Sequence, residues 1–189
     1  MADETSGRKS VRELVEAMRS GKLTRRELMV GLSALGLTAA GTAAIVAVAT
    51  RPSTLAPEHH LQLHDQHITK QMKGDVPHMM GDYAENAVVD DPLFAQPFVG
   101  REAIAARYAA EVASVPDRSL RIVNRTVSGD QLIVEWEATG THQTPFLGIG
   151  GNGQAYRLTG VTVVTRRDGL IVRESHYFDT AHLRGQIEG

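Results

Sequence analysis

Apolar side chains recur at helical spacing in the part of the chain between residues 57 and 114. The segment Pro57–Lys73 has apolar residues on one stripe and begins with a proline, which suits the first turn of a helix. A short helix is predicted over Val76–Tyr83 and a longer one over Arg101–Ser114, where Pro116 stops the pattern. Between these two helices, a short β-branched run ends at Asp91. This part of the domain is therefore predicted to be mainly helical.

From residue 117 onward the apolar period changes from helical spacing to alternation. Four β-rich runs follow, joined in pairs at Gly129-Asp130 and at Asp168-Gly169, and the second dipeptide is a strong hairpin signal. Helices first and long antiparallel strands afterwards are typical of an α+β fold. We expect the helices to cover one face of a curved sheet.

The first 50 residues have a different character. Arg25 and Arg26 stand directly before an uncharged run over residues 28–49, and the letters TRRELM resemble the twin-arginine export signal. The letters AVA before Thr50 resemble a cleavage site, while 22 uncharged residues are also enough for an uncleaved membrane anchor. We divide the chain into a signal or anchor, 1–50, and a domain, 51–189. The expected location is periplasmic, extracellular or anchored to the membrane and facing outside.

Composition removes several classes of function. The chain has no cysteine, which excludes disulfides, thiolate metal ligands and a cysteine nucleophile. From residue 50 onward it has 13 basic and 17 acidic residues, a net charge of −4 with neutral histidines. A mildly acidic domain is not expected to bind nucleic acid. Membrane contact is expected only through the N-terminal segment.

Several spaced motifs resemble one superfamily. The segment NAVVDDPLFAQPFVGREAIAARY, residues 86–108, resembles ketosteroid isomerase and its relatives, in which a strand ends in an acid-proline pair and a Gly-Arg-Glu opens the next helix. ATGTHQTPFLGI and GLIVRESHYFDTAHLRGQIEG resemble SnoaL-like polyketide cyclases and limonene epoxide hydrolases. The resemblance covers residues 57–189. It implies the nuclear-transport-factor-like cone, with about three N-terminal helices on a strongly curved antiparallel sheet, and a homodimer.

Asp91 and His67 are the first two candidate catalytic residues. In the relatives of ketosteroid isomerase the aspartate before the proline is the general base, which here is Asp91. A carboxylate at a strand end beneath apolar helices is suited to take a proton from carbon. The alternative role is a turn cap before Pro92, which Asp90 could also provide. His67 falls where ketosteroid isomerase has an oxyanion-binding tyrosine, and a histidine can also donate there.

His176 and Glu137 complete the predicted catalytic set. Matching SHYFD to the epoxide hydrolases places His176 at one of their aspartates, Glu137 at their arginine and Thr139 at their other aspartate. Their machinery is therefore not reproduced, although Glu137 with His176 stays open as a different acid/base pair. Side chains alternate along a strand, so Glu137 and Trp136 face different sides of the sheet, and Glu137 faces either the pocket or solvent. A regular hairpin pairs His176 with Val161.

Four further residues are predicted to bind substrate. Trp136 lies on the strand that carries the candidate acid, Phe146 lies in a glycine-rich loop that could form the pocket mouth, and His142 lies at a strand end. Asp179 closes the HYFD motif that SnoaL-like sequences share. Alternation directs it away from His176, and its alternative role is the N-cap of a terminal turn.

Three histidines of the first predicted helix share one stripe: His60, His64 and His67. This spacing raises the possibility of a metal site. No carboxylate clearly completes the ligand set, so we expect no metal and interpret the stripe as a polar helix face.

The resemblance implies acid/base chemistry without a cofactor, which is consistent with the lack of a nucleotide-binding motif. The expected reaction is isomerisation or aldol-type cyclisation of a hydrophobic carbonyl compound such as a polyketide or steroid. Two alternatives stay open: a non-catalytic protein that binds a small hydrophobic molecule, and an epoxide hydrolase-like enzyme. The fold hosts all of these functions, so the site has to distinguish them.

Overall fold

The computed structural model of the chain describes residues 10–19, 22–35 and 55–188. The chain divides into two compact units, Met1–Pro52 and Ser53–Gly189. Residues 36–49 of the predicted signal run and the AVA motif lie outside the described residues. Among the helices in the described ranges, none has both the length and the apolar character needed to cross a membrane.

The first unit contains two short helices, α1 (Val11–Arg19) and α2 (Arg25–Ala34). The side chains that hold them together are those of Leu14, Leu28 and Leu32. Helix α2 begins with a capping box, in which the Thr24 hydroxyl accepts from the Glu27 backbone and the Glu27 carboxylate accepts from the Thr24 backbone. The arginine pair therefore stands at the start of a capped helix.

The second unit contains the cone. Its elements are α3 (Pro57–Lys73), α4 (Val76–Met79), a 3₁₀ turn (Met80–Asp82), β1 (Tyr83–Asp90), β2 (Phe98–Val99), α5 (Arg101–Ser114), β3 (Ser119–Ser128), β4 (Gln131–His142), β5 (Gln154–Arg167), β6 (Leu170–Phe178) and α6 (Thr180–Ile187). The α+β class is confirmed. The predicted count of about three N-terminal helices is not matched exactly, because a 3₁₀ turn accompanies α3, α4 and α5, and a further helix, α6, follows the last strand.

Six strands form one sheet in the order β2-β1-β6-β5-β4-β3. The four long strands β3 to β6 are antiparallel, as predicted, but β1 pairs parallel with β6. The sheet is therefore mixed rather than purely antiparallel. This pairing joins segments more than 80 residues apart, so local sequence patterns carry no signal for it.

Local sequence chemistry sets the element boundaries. Pro57 occupies the first turn of α3, and Gly74 ends the helix in the left-handed conformation with φ 70°. At the β5–β6 turn Asp168 and Gly169 have φ values of 50° and 82°, the positive pair that a type I′ hairpin requires. The predicted bounds of α3 and α5 and the positions of both hairpins are confirmed.

The sheet curls because three of its pairings contain irregularities. Register shifts occur between β1 and β6, between β3 and β4, and between β5 and β6. Irregularities of this kind bend a strand and increase its twist. The apolar core fills the concave side, and its fully buried members include Tyr83, Val89, Ile104, Leu132 and Ile171.

The histidine stripe of α3 faces inward, and the interpretation as a polar outer face is wrong. His60, His64 and His67 are each at most 3 % exposed. The helix packs this stripe toward the concave side because its opposite side carries the more strongly polar residues, among them Glu58 and Asp65. In the described part of the chain, no group of three or more histidine, cysteine, aspartate or glutamate residues is arranged to hold a metal ion.

Candidate functional site

The cone holds a cavity with a volume of about 890 Å³, its open mouth included. Apolar side chains from the sheet, the glycine-rich loop and α6 form most of its wall, among them Val134, Trp136, Phe146, Leu158, Phe178 and Leu183. Its titratable lining residues are His64, Asp91, Arg107, Glu111, His142, Tyr156, Glu174 and His176. A mostly apolar pocket with a few converging polar groups is typical of a small-molecule site.

A bulge in β6 determines which side chains of this strand face the cavity. Ile171 pairs with Arg166, but Arg173 pairs with Thr165, so one extra residue of β6 is accommodated between them. The predicted pairing of His176 with Val161 is therefore wrong by one residue, and His176 lies opposite Thr162. Beyond the bulge, alternate residues of β6 line the cavity: Glu174, His176 and Phe178.

His176 is held in position by a short series of hydrogen bonds across the sheet. Trp136 Nε1 donates to Thr162 Oγ1 at 2.9 Å, and Thr162 Oγ1 lies 2.9 Å from His176 Nδ1. Opposite Trp136 stands Gly160, and a Cβ there would meet the indole ring at 2.4 Å. Gly160 therefore leaves room for the indole ring of Trp136. The other ring nitrogen, His176 Nε2, is buried and has no hydrogen-bond partner among the described residues.

The Thr162 hydroxyl allows either neutral form of His176. It can donate to Nδ1, which leaves the imidazole proton on Nε2, or accept from Nδ1, which leaves a lone pair on Nε2. Burial lowers the pKa of His176 from 6.5, and the nearby Glu174 carboxylate opposes this shift. His176 is therefore neutral at pH 7 and can take up or give a proton at Nε2.

Glu174 is a buried carboxylate beside His176, and sequence reasoning missed it. Its Oε1 lies 3.8 Å from His176 Nε2, while its Oε2 accepts from Tyr83 and, at 3.1 Å, from Tyr108. Burial favours the neutral acid, but His176, His67, the Tyr83 hydrogen bond and Arg107 lower the pKa of Glu174 to about 2. A signal was available, because Glu174 precedes His176 by two positions and shares its face.

His67 stands behind this pair and does not line the cavity. Its Nδ1 lies 3.0 Å from the Asp82 carboxylate, which also binds Lys70 Nζ at 2.5 Å. Its Nε2 lies 3.5 Å from the Tyr83 hydroxyl oxygen. The predicted oxyanion donor is therefore part of a network that leads from a partly exposed ion pair to Glu174.

Asp91 lines the cavity at the end of β1, as expected, but its oxygens are already engaged. Oδ2 accepts from Arg107 Nη2 at 2.7 Å and Nε at 3.2 Å, while Oδ1 accepts from the Leu93 backbone at 3.0 Å. The turn-capping role and the pocket position therefore coincide in Asp91. Asp90 accepts from Ser175 and pairs with Arg173 instead.

Sequence reasoning also missed Arg107, the one cationic side chain among the described residues that line the cavity. Besides Asp91 it binds Glu111 Oε2 at 2.5 Å, and its guanidinium lies over the Tyr108 and Phe146 rings. The signal was its helical spacing, since Arg107 and Glu111 are four residues apart on α5.

The remaining predicted residues divide into two groups. Trp136, Phe146 and His142 line the cavity, and His142 Nδ1 lies 3.3 Å from the Ser114 hydroxyl. Glu137 does not line it and pairs with Arg121 at 2.7 Å, so it is not brought to His176. Asp179 does not line the cavity either and accepts from the His182 backbone as the N-cap of α6.

Buried histidines make stability depend on pH. Burial and the neighbouring His67 lower the pKa of His64 from 6.5 to about 4. Between these values the unfolded chain binds a proton that the folded chain does not, so the free energy of unfolding falls as the pH is lowered. A shift of this size corresponds to roughly 3 kcal/mol for His64. Urea unfolding at pH 7.5, 6, 5 and 4.5 measures the loss.

Two variants of α3 test this assignment. His64→Leu removes the titrating group, so the pH dependence between 6.5 and about 4 should become shallower. His59→Gln, at an exposed position of the same helix, should leave the dependence as it is. An equal pH dependence in His64→Leu and the wild type would contradict the assignment.

Comparison with known proteins places this cone among the nuclear-transport-factor-like folds. TsrD from Streptomyces laurentii is similar at 22 % identity and a TM-score of 0.61, over 70 % of this chain and 97 % of that one. A candidate SnoaL-like polyketide cyclase from Jannaschia sp. CCS1 matches at 20 % identity and 0.58, over 68 % and 93 %. An NTF2-like protein from Burkholderia pseudomallei K96243 matches at 18 % and 0.60, over 69 % and 98 %.

The sequence comparison defines the family more narrowly. The model of the SnoaL-like domain matches residues 64–174, which is more than half of the chain. The chain belongs to the SnoaL-like domain family. No match is found among curated proteins. The matched range contains the cavity residues from His64 to Glu174 and ends two residues before His176.

Proposed function

We propose that this protein is an acid/base enzyme that isomerises or cyclises a small hydrophobic carbonyl compound. The observation that carries the proposal is His176 Nε2, a buried imidazole nitrogen without a hydrogen-bond partner among the described residues, which belongs to a side chain that lines a mostly apolar cavity. The neighbouring carboxylate of Glu174 would stabilise the imidazolium that forms when His176 takes up a proton. The SnoaL-like family supports the same class of reaction.

The proposed reaction begins with transfer of a proton from the carbon next to the carbonyl group to His176 Nε2. The electron pair of the broken C–H bond moves to the carbonyl oxygen and gives an enolate. Arg107 supports this step, because its described contacts use three of its five N–H groups. A remaining N–H would donate to the enolate oxygen. Where the enolate is conjugated with a double bond, return of the proton from His176 to the far carbon completes isomerisation. Alternatively, the enolate carbon attacks a second carbonyl and closes a ring, and the alkoxide that forms takes up the proton from His176.

This proposal assigns Asp91 a different part from the one the sequence suggested. Three hydrogen bonds to its carboxylate favour a role in holding Arg107 over a role as the base. The Glu137–His176 alternative has no geometric support, because Glu137 pairs with Arg121 away from the cavity lining.

Proton exchange tests the proposal without knowledge of the natural substrate. The full chain is incubated in D₂O with a panel of hydrophobic ketones, and deuterium uptake at the α-carbon is followed by NMR. We expect exchange faster than the buffer rate for at least one ketone that fits the cavity. Ketones that bind, as seen by shifts of the Trp136 indole signal, yet exchange only at the buffer rate would instead support the carrier function. The apolar wall of the cavity is the observation that favours this second candidate.

We also propose that the protein is exported through the twin-arginine route, which the resemblance of TRRELM supports. In a bacterial host with this route, the full chain should be found outside the cytoplasm. The double variant Arg25→Lys, Arg26→Lys should stay inside, whereas Arg12→Lys should not change the distribution. Equal export of the wild type and the double variant, measured by cell fractionation, would contradict this route.

A further inference from the structure

We propose that the cavity selects ligands that present a hydroxyl, enol or ammonium donor to Glu174 Oε1 and rejects ligands that carry a carboxylate. The inference rests on the proposed function only for the location of the site. It concerns binding, so it can be tested without turnover.

The first observation is the unequal use of the two Glu174 oxygens. Oε2 accepts from both Tyr83 and Tyr108, and these contacts fix the orientation of the carboxylate. Oε1 accepts no hydrogen bond from the described residues and lies 3.8 Å from His176 Nε2. Since Oε1 is not among the fully buried polar atoms that lack a partner, it is accessible from the cavity, and a ligand that donates a hydrogen bond to this ionised oxygen gains affinity.

The second observation is the position of His176 Nε2, which also has no hydrogen-bond partner there. The two atoms are close enough for one ligand group to contact both. A hydroxyl can donate to Glu174 Oε1 and accept from the protonated Nε2. An ammonium can donate to Glu174 Oε1 and also to Nε2 when the imidazole proton is on Nδ1. A carboxylate offers no proton to Glu174.

The third observation is the charge of the cavity wall. Three carboxylates, Asp91, Glu111 and Glu174, line it together with a single guanidinium, Arg107. Arg107 already binds two of these carboxylates.

The lining histidines do not change this balance. Burial lowers the pKa values of His64, His142 and His176, so these side chains add no positive charge at pH 7. Glu174 acts electrostatically on Arg166, which does not line the cavity. Even with Arg166 included, the wall carries more negative than positive charge, and a ligand carboxylate would add to it.

The test compares three probes with the same ring system: 2-naphthol, 2-naphthylmethylammonium and 2-naphthoate. Trp136 is the one tryptophan of the chain and lines the cavity, so its indole N–H gives a single reporter signal in a ¹⁵N correlation spectrum. Titration of the full chain at pH 7 should show that the naphthol and the ammonium bind about tenfold or more tightly than the naphthoate. Equal or tighter binding of the naphthoate would overturn the inference.

Two matched variants assign the preference to Glu174. Glu174→Gln should reduce the naphthol-to-naphthoate ratio to within about threefold, while Glu137→Gln, the same change away from the cavity, should leave it unchanged. If Glu174→Gln does not fold, two other measurements test the inference. They are the naphthol-to-naphthoate ratio of the wild type and the change in that ratio caused by His176→Gln. Absence of α-proton exchange in the wild type, together with the donor preference, would contradict only the proposed reaction. Exchange in the wild type without the donor preference would contradict only this inference.

Discussion

Replacing His176 with glutamine is expected to slow α-proton exchange by a factor of ~10²–10⁴, the usual contribution of a positioned acid/base group. Glutamine can still form a hydrogen bond to Thr162, but it cannot take up a proton. The wild-type rate should also fall on acidification, because protonation of His176 removes the base. Burial places its pKa below 6.5, so the rate at pH 7 should lie on the upper plateau. Exchange rates over pH 5 to 8, measured by NMR for both proteins, check the assignment.

Asp91→Asn provides the contrast to His176→Gln, because the sequence suggests Asp91 as the base. The amide oxygen can still accept from the Leu93 backbone. We expect this variant to retain exchange within about tenfold of the wild type when the rates are corrected for the folded fraction. Glu137→Gln, away from the cavity, should retain the full rate. A loss of 10²-fold or more in Asp91→Asn with little change in His176→Gln would make Asp91 the base.

Local chemistry explains why most of the fold could be predicted. Pro57 and Gly74 mark the ends of α3, and the Asp168-Gly169 pair encodes its turn through two positive φ values. The bulge in β6 and the parallel pairing of β1 with β6 have no comparable local signal. A bulge depends on how the whole sheet closes around the core, so the regular hairpin register extended from the turn was wrong by one residue at His176.

Five of the eight residues proposed from the sequence line the cavity, and the family resemblance and the strand alternation pointed to them; their chemical roles stay predictions. Trp136, Phe146, His142, His176 and Asp91 all line the cavity. The sequence alone could not show that the Asp91 carboxylate is already engaged, since this depends on an arginine from another element.

The missed partners of the site are ordinary charged residues in amphipathic patterns. Glu174 and Arg107 look like surface side chains until the sheet and α5 are packed together. The histidine stripe of α3 was misinterpreted for a related reason, since polar letters suggest an exposed face. Burial of His64 and His67 inside the cone is a property of the tertiary structure and not of the helix.

The ion pair between Asp91 and Arg107 controls both the charge of the cavity and the stability of the cone. Both side chains are almost fully buried, with 1 % and 8 % of their surface exposed. A buried pair is strongly destabilised when one partner is removed, because the remaining charge stays in the interior without compensation. In this protein the loss of Arg107 would affect two carboxylates, since Glu111 binds the same guanidinium.

Arg107→Leu is therefore expected to reduce the free energy of unfolding by about 3–5 kcal/mol. Adding Asp91→Asn to this variant should restore part of the loss, because it removes the uncompensated charge while an oxygen still accepts from Leu93. The coupling measured in the double-mutant cycle should be about 1–3 kcal/mol. Urea unfolding of the full chain followed by circular dichroism gives all four values. Additive losses would show that the contact contributes little, and Asp91 would then again be available as a free carboxylate for the reaction.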